Sequence, residues 1–141
     1  MDIDIVEMTP ADYDETVALW QACEGVYLGE VDDREHITDY LRRNPGLSFI
    51  AREDGNLVGA VLCGTDGRGG YLRHLSVAES HRKSGLGRTL ADRCLSALRE
   101  AGIGWCQIVV LTENEAGRTF WQRTGWKEPD HIRLMSKLTD A

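Results

Sequence analysis

Two cations and a Gly-x-Gly lie between an apolar strand pattern and an amphipathic helix pattern, and this constrains the chain more than any other feature. The stretch is HRKSGLGRTLADRC, His81 to Cys94. Upstream, Tyr71 to Val77 reads as a strand. Downstream, Leu86, Leu90, Cys94, Leu95 and Leu98 form one stripe of a helix expected from about Gly85 to Ala101, with Gly102 as its C-cap. A turn from strand into helix exposes backbone N–H groups without partners, and the helix dipole adds positive potential. Such a turn binds anions, phosphate above all. Gly85 and Gly87 let the backbone approach a ligand with no Cβ in the way. Arg82, Lys83 and Arg88 add cationic donors, and Ser84 and Thr89 add hydroxyls.

The turn matches neither common phosphate motif. No GxxxxGK[ST] is present. A dinucleotide fingerprint needs a third glycine, but Gly87 is followed by Arg88, Thr89 and Leu90. What remains is Arg82-x-x-Gly85-x-Gly87. A nucleotide-binding domain using this turn would therefore depart from both motifs.

The surrounding patterns predict the element order β-α-α-β-β-β-α-β-α-β-β. Ile3-Asp4-Ile5 starts a strand. Thr9-Pro10 opens a helix, with Val17, Leu19 and Trp20 on its apolar side and Gly25 at its end. Asp32-Asp33 can cap a second helix, which Asn44-Pro45-Gly46 stops. Ser48 to Ala51 and Leu57 to Gly64 are strands joined by a hairpin turn at Asp54-Gly55-Asn56. Trp105 to Leu111 is a nearly continuous apolar run, as a strand covered on both faces requires. Asn114 to Thr124 is a short helix, and Trp126 to Leu138 should hold two last strands. The simplest packing is a mixed α/β sheet with helices on both faces.

With 141 residues the chain suits a single domain, 1–141, built on one core. Its net charge of -7 argues against a general nucleic-acid binder, while leaving room for a local anion site and for a cationic substrate. No apolar run approaches the roughly 18 residues of a membrane span. The acidic N-terminus MDIDIVEM lacks the features of a signal peptide, so a cytoplasmic location is expected. Cys23, Cys63, Cys94 and Cys106 show no CxxC pairing; they suggest core thiols rather than a zinc site or a disulfide framework, and no metal is expected.

The segment from His74 to Trp126 resembles the GNAT superfamily of acyl-CoA-dependent N-acetyltransferases, most closely its small bacterial members. Four features occur in order: a strand ending Leu75-Ser76-Val77, the Arg82–Gly87 turn, a strand ending in Asn114, and a helix ending WQRTGW, which resembles the family's Y-E-x-x-G-F. The resemblance implies a central mixed, largely antiparallel sheet with splayed parallel strands. It implies acetyl-CoA as cosubstrate and a small-molecule or protein amine as acceptor. The amides from about Arg82 to Gly87, including Lys83, Ser84 and Leu86 and with Arg88 and Thr89 beside them, would hold the coenzyme A pyrophosphate. Leu75 and Val77, flanking Ser76, would pair with the pantetheine amides. Asn114 matches the Asn that bonds the pantetheine arm, and it can also cap its helix. Many relatives dimerise through late strands, so a homodimer is possible.

One departure stands out. The family often places a tyrosine seven residues after the Asn, as acid to the leaving thiolate, but Trp121 stands there. An indole can donate a hydrogen bond but not give up a proton near neutral pH. Either the thiolate leaves without that acid, or the protein is a non-catalytic acyl-CoA-binding module; Trp121 can also simply pack. No general base is evident. Tyr71, His74 and Trp121 are weak catalytic candidates. Strand alternation groups His74 with Leu72 and Ser76, and Tyr71 and Arg73 with Val77. His36, His81 and His131 make weaker cases, and a proton could leave through ordered water. Glu24, Glu30, Asp32, Asp33 and Glu35, with Tyr27 among them, are either a solvated face with helix caps or a cluster that holds a cationic amine.

Overall fold

The computed structural model describes residues 2–140. They fall into two compact units, one running to Val109 and one beginning at Val110. The first unit holds a five-stranded sheet of β1 (Ile3–Glu7), β2 (Phe49–Glu53), β3 (Asn56–Thr65), β4 (Gly70–Val77) and β5 (Cys106–Gln107), in that spatial order. All neighbours are antiparallel except β4 and β5, which run parallel. The helices α1 (Tyr13–Ala22), α2 (Arg34–Arg43) and α3 (Leu86–Glu100) belong to this unit, and α4 (Glu115–Arg123) to the second.

Local chemistry sets these boundaries. Asp54 and Gly55 both have positive φ, 51° and 82°, which is the geometry of a two-residue type I′ hairpin between β2 and β3. Asp33 caps α2, its Oδ1 accepting from the His36 amide at 2.8 Å. The helix expected from Thr9 begins instead as a 3₁₀ turn, Pro10–Asp12. Asp12 turns back to accept from the Thr9 amide at 2.9 Å and is held by Arg52 at 2.8 Å, which tightens this first turn.

The buried run of β3 shows why the sheet needs helices on both faces. A Cβ at Gly59 would meet Leu90 and Leu86 of α3, whereas one at Gly64 would lie 2.5 Å from the Tyr40 hydroxyl of α2. Residues with an odd place in this stretch thus face α3, and those with an even place face the first two helices. Met8, Leu19, Trp20, Ile37, Leu41, Ile50, Ala60 and Leu62 form one apolar cluster. Leu86, Leu90, Ala91, Cys94 and Leu98 cover the other face from α3. The cysteines are free, with Cys63 and Cys94 in the core.

Two expectations fail. The strand predicted at Trp105–Leu111 pairs only at Cys106–Gln107, because β5 bonds β4 only opposite Gly70 and Tyr71. Among the described residues after Trp126, no strand forms. That segment alternates, but Ile132, Leu134 and Leu138 are exposed and no edge pairs with it.

Candidate active site

The ladder of β4, the strand expected to carry the site, opens midway. Cα partners on the β3 side run Leu62 with Arg73 and then Ala60 with Ser76, so Val61 alone opposes His74 and Leu75. This is a β-bulge, and His74 has φ +55°, a left-handed value uncommon outside glycine. The Ala78 amide bonds Val58 of β3 at 2.8 Å. Backbone direction alternates along a strand, so Val77 points its N–H and C=O to the opposite edge. On that edge the β5 ladder stops at Tyr71.

The bulge also overturns the alternation expected for the side chains. Leu72 lies opposite Cys63, facing α3, while the His74 ring meets Trp20 of α1 edge-on at 4.9 Å. His74 therefore does not share a face with Leu72. Tyr71 pairs with Gly64 and Val77 with Gly59, so these two do not share one either.

After Val77 the chain makes a 3₁₀ turn, Glu79–His81, and then reaches the Gly-rich stretch. Lys83 and Gly85 have φ of +61° and +87°. No side chain caps α3, and among the described residues nothing accepts from the amides of Leu86, Gly87 or Arg88. A Cβ on Gly85 would meet nothing within 4 Å, so the cradle is open. Three free amides at a helix N-terminus are the donors that an anion would need. Other members of the predicted turn also make contacts within the chain. The Arg82 amide bonds Glu79, and its guanidinium braces the end of β4, with Nε 3.1 Å from the Val77 carbonyl. The Ser84 hydroxyl bonds the His81 carbonyl, and that of Thr89 bonds Gly85 at 3.0 Å. Lys83 and Arg88 are exposed. His81 pins the turn to β2, its Nε2 2.9 Å from Glu53 and its Nδ1 2.7 Å from the Ser80 hydroxyl.

Tyr71 turns to the preceding loop. Its hydroxyl bonds Asp66 at 3.2 Å, and that carboxylate holds the phenol above its usual range. In the second unit, the Asn114 side chain caps α4 by accepting from Gly117 at 3.0 Å. Trp121 packs edge-on against Phe120 and Trp126, each at 5.0 Å.

A cleft of ≈ 530 Å³ lies beside α1. Tyr13, Val17 and Gln21 of α1, Glu30, Asp32 and Asp33 of the following stretch, and His36 of α2 are among the residues that line it. Of the acidic residues singled out from the sequence, Glu24 and Glu35 do not line it. Asp33 is held below the usual carboxylate range by the backbone N–H of His36 and then by its ring. Sequence reasoning missed the contact that joins this cleft to β4: His74 Nε2 lies 2.9 Å from Asp32 Oδ1, across 42 positions. No local signal announces it, since Asp32 and Asp33 look alike as helix caps.

The acetyltransferase (GNAT) family profile matches residues 13–126. An acetyltransferase of Yersinia pseudotuberculosis serotype I is 29% identical over 128 residues, covering 90% of this chain and 89% of that one. An acetyltransferase of Sodalis glossinidius is 27% identical over 127 residues, with 89% and 88% covered. The fold is that of PaiA N-acetyltransferase from Thermoplasma acidophilum, solved with coenzyme A, at TM-score 0.79, 20% identity and 92% coverage of both chains. It is also that of AAC(6')-Iy, solved with the bisubstrate analogue CoA-S-monomethyl-acetylneamine, at TM-score 0.76 and 19% identity over 98% and 99% of the two chains. A profile match of that extent makes the chain a member of the acetyltransferase (GNAT) family, an acyl-CoA-dependent N-acetyltransferase.

Proposed function

We propose that residues 1–141 act as one catalytic domain that moves an acetyl group from acetyl-CoA to a primary amine by direct attack. The free amides of Leu86, Gly87 and Arg88 carry this reading, because they offer a pyrophosphate its donors at the mouth of an unpaired strand edge. Lys83 and Arg88 supply charge beside them. Pantetheine then runs back along β4, where Val77 offers a free-edge N–H and Leu75 continues the edge. Arg82 acts from behind as a brace. Asn114 and Trp121 are assigned by family resemblance alone, to the pantetheine arm and to the position of the family's tyrosine. A thiol with pKa of about 8.5 is a good enough leaving group to depart without that acid. The acceptor class is a small-molecule or protein amine. No helix among the described residues is long and apolar enough to cross a membrane.

The test is calorimetric titration with acetyl-CoA, without acceptor, followed by turnover with primary amines. Micromolar binding and acetylation are expected. No binding refutes the reading. Binding without turnover of any amine leaves an acyl-CoA-binding module. ATP binding tighter than coenzyme A would assign the turn to a nucleotide.

A further inference from the structure

We propose that His74 is the general base of the transfer and that Asp32 is its positioning residue, an assignment that rests on the acetyl-transfer reading above. The two side chains are mostly buried, with exposures of 17% and 11%, and meet at 2.9 Å. Asp32 is fixed from three directions. Its Oδ1 faces His74, its Oδ2 accepts from the Gly29 amide at 2.8 Å, and its carbonyl accepts from the Tyr13 hydroxyl at 2.7 Å. The ring of His74 is held edge-on by Trp20, whose Nε1 also donates to the His74 carbonyl at 3.2 Å.

This arrangement chooses a tautomer. A carboxylate at Nε2 takes the ring proton there, which leaves the lone pair on Nδ1. Among the described residues Nδ1 has no partner. Asp32 is at once a wall of the acidic cleft and the partner of this imidazole. Asp32 Oδ1 and Oδ2 are already engaged by His74 and the Gly29 amide, so Glu30 and Asp33 are the carboxylates that would draw an ammonium into the cleft, with the base on the other side of the Asp32 contact. The left-handed backbone at His74 points the same way, since a bulge that costs conformational energy re-aims one side chain toward α1. Tyr13, which donates to the Asp32 carbonyl, lies near Asp33, Arg34 and Asp14, and Glu30 and His36 line the same cleft.

The step balances without a further reactant. His74 Nδ1 first takes a proton from the ammonium and releases it to solvent, which frees the amine to attack. The amine nitrogen attacks the thioester carbon, forming the C–N bond. The second nitrogen proton then passes to Nδ1 as the C–S bond breaks, and coenzyme A leaves as thiolate, which recovers that proton from imidazolium through solvent. At about 3.3 Å per residue, the run from Val77 back to His74 spans roughly 10 Å along the proposed pantetheine path.

The experiment compares wild type, His74→Gly and Asp32→Asn, with acetyl-CoA and spermidine, kanamycin or an alanyl peptide as the amine. Glycine accepts the φ of +55° without strain, so the bulge survives while the ring is removed. The expected result for His74→Gly is unchanged acetyl-CoA affinity and a kcat lower by about 10²- to 10³-fold, partly restored by added imidazole. Imidazole should leave the wild type unaffected. Asp32→Asn should lower kcat about tenfold with the KM for acetyl-CoA unchanged, a split that a merely structural residue does not give. Near-normal kcat in His74→Gly, or loss without imidazole rescue in a folded variant, overturns the assignment alone. A wild type that binds acetyl-CoA yet turns over no amine also overturns it. Failure of the wild type to bind acetyl-CoA sinks the acetyl-transfer reading itself.

Discussion

Replacing Gly85 separates the two demands that the phosphate turn makes on one residue. Gly85 has φ +87° and ψ 0° as the N-cap of α3. For a residue with a Cβ, left-handed backbone costs roughly 1–2 kcal/mol. Packing adds nothing, because a Cβ there meets no atom within 4 Å. Gly85→Ala should therefore lower stability by about 1–2 kcal/mol. Unfolding entropy of about 2.1 cal/mol/K per residue gives ~0.3 kcal/mol/K for a chain of this size, so Tm should fall by about 3–7 °C. Gly85→Asn should recover part of that loss, since Asn tolerates this region better. Binding should not follow stability. Both side chains project into the open space where a phosphate would approach the three amides, so both variants should bind acetyl-CoA at least about tenfold more weakly, a loss of ~1.4 kcal/mol. Differential scanning fluorimetry and calorimetric titration on the same samples read the two effects. Tight acetyl-CoA binding by the stabilised Gly85→Asn protein would refute the reasoning, and so would Gly85→Ala melting with the wild type.

Further outcomes follow from other contacts. Leu90 is fully buried between α3 and the sheet, so Leu90→Ala should cost about 2–5 kcal/mol in urea denaturation. The Tyr40 hydroxyl is buried without a partner among the described residues, and Tyr40→Phe should stabilise by about 1 kcal/mol, read as a raised urea midpoint. Asp33 is held low by the His36 amide, so its contribution is present above the unfolded carboxylate value and is lost as pH falls through the folded one. Asp33→Asn should flatten the decline of the urea midpoint below about pH 4.

Much of this architecture was legible because it is written in short-range patterns. The hairpin at Asp54-Gly55, the cap at Asp33, the stripe of α3 and the free amides after Gly85 each depend on neighbours a few positions away. What escaped depends on partners. A strand needs an edge to pair with, and the alternating segment Trp126–Leu138 finds none, while Ile108 and Val109 continue β5 only as an apolar run. The bulge at His74 could not be seen either, since one extra residue leaves no mark in composition and reverses the inferences drawn across it, while Tyr71 with Arg73 and His74 with Ser76 keep their shared faces. Arg82 adds a related case. A guanidinium next to glycines suggests a phosphate ligand, and no sequence pattern shows that its Nε also reaches the carbonyl of Val77.

That last contact bears on solubility. An open strand edge invites pairing by any other strand, including one from a second copy of the chain. A full ladder needs acceptors as well as donors from each alternate residue. At Val77 the acceptor is already taken, by Arg82 Nε at 3.1 Å and more weakly by the Cys23 thiol at 3.8 Å. The edge thus keeps a donor and withholds its acceptor. It suits a ligand presenting an isolated carbonyl better than a polypeptide seeking continuous exchange, so removing the Arg82 guanidinium should make the edge more prone to pair with another strand.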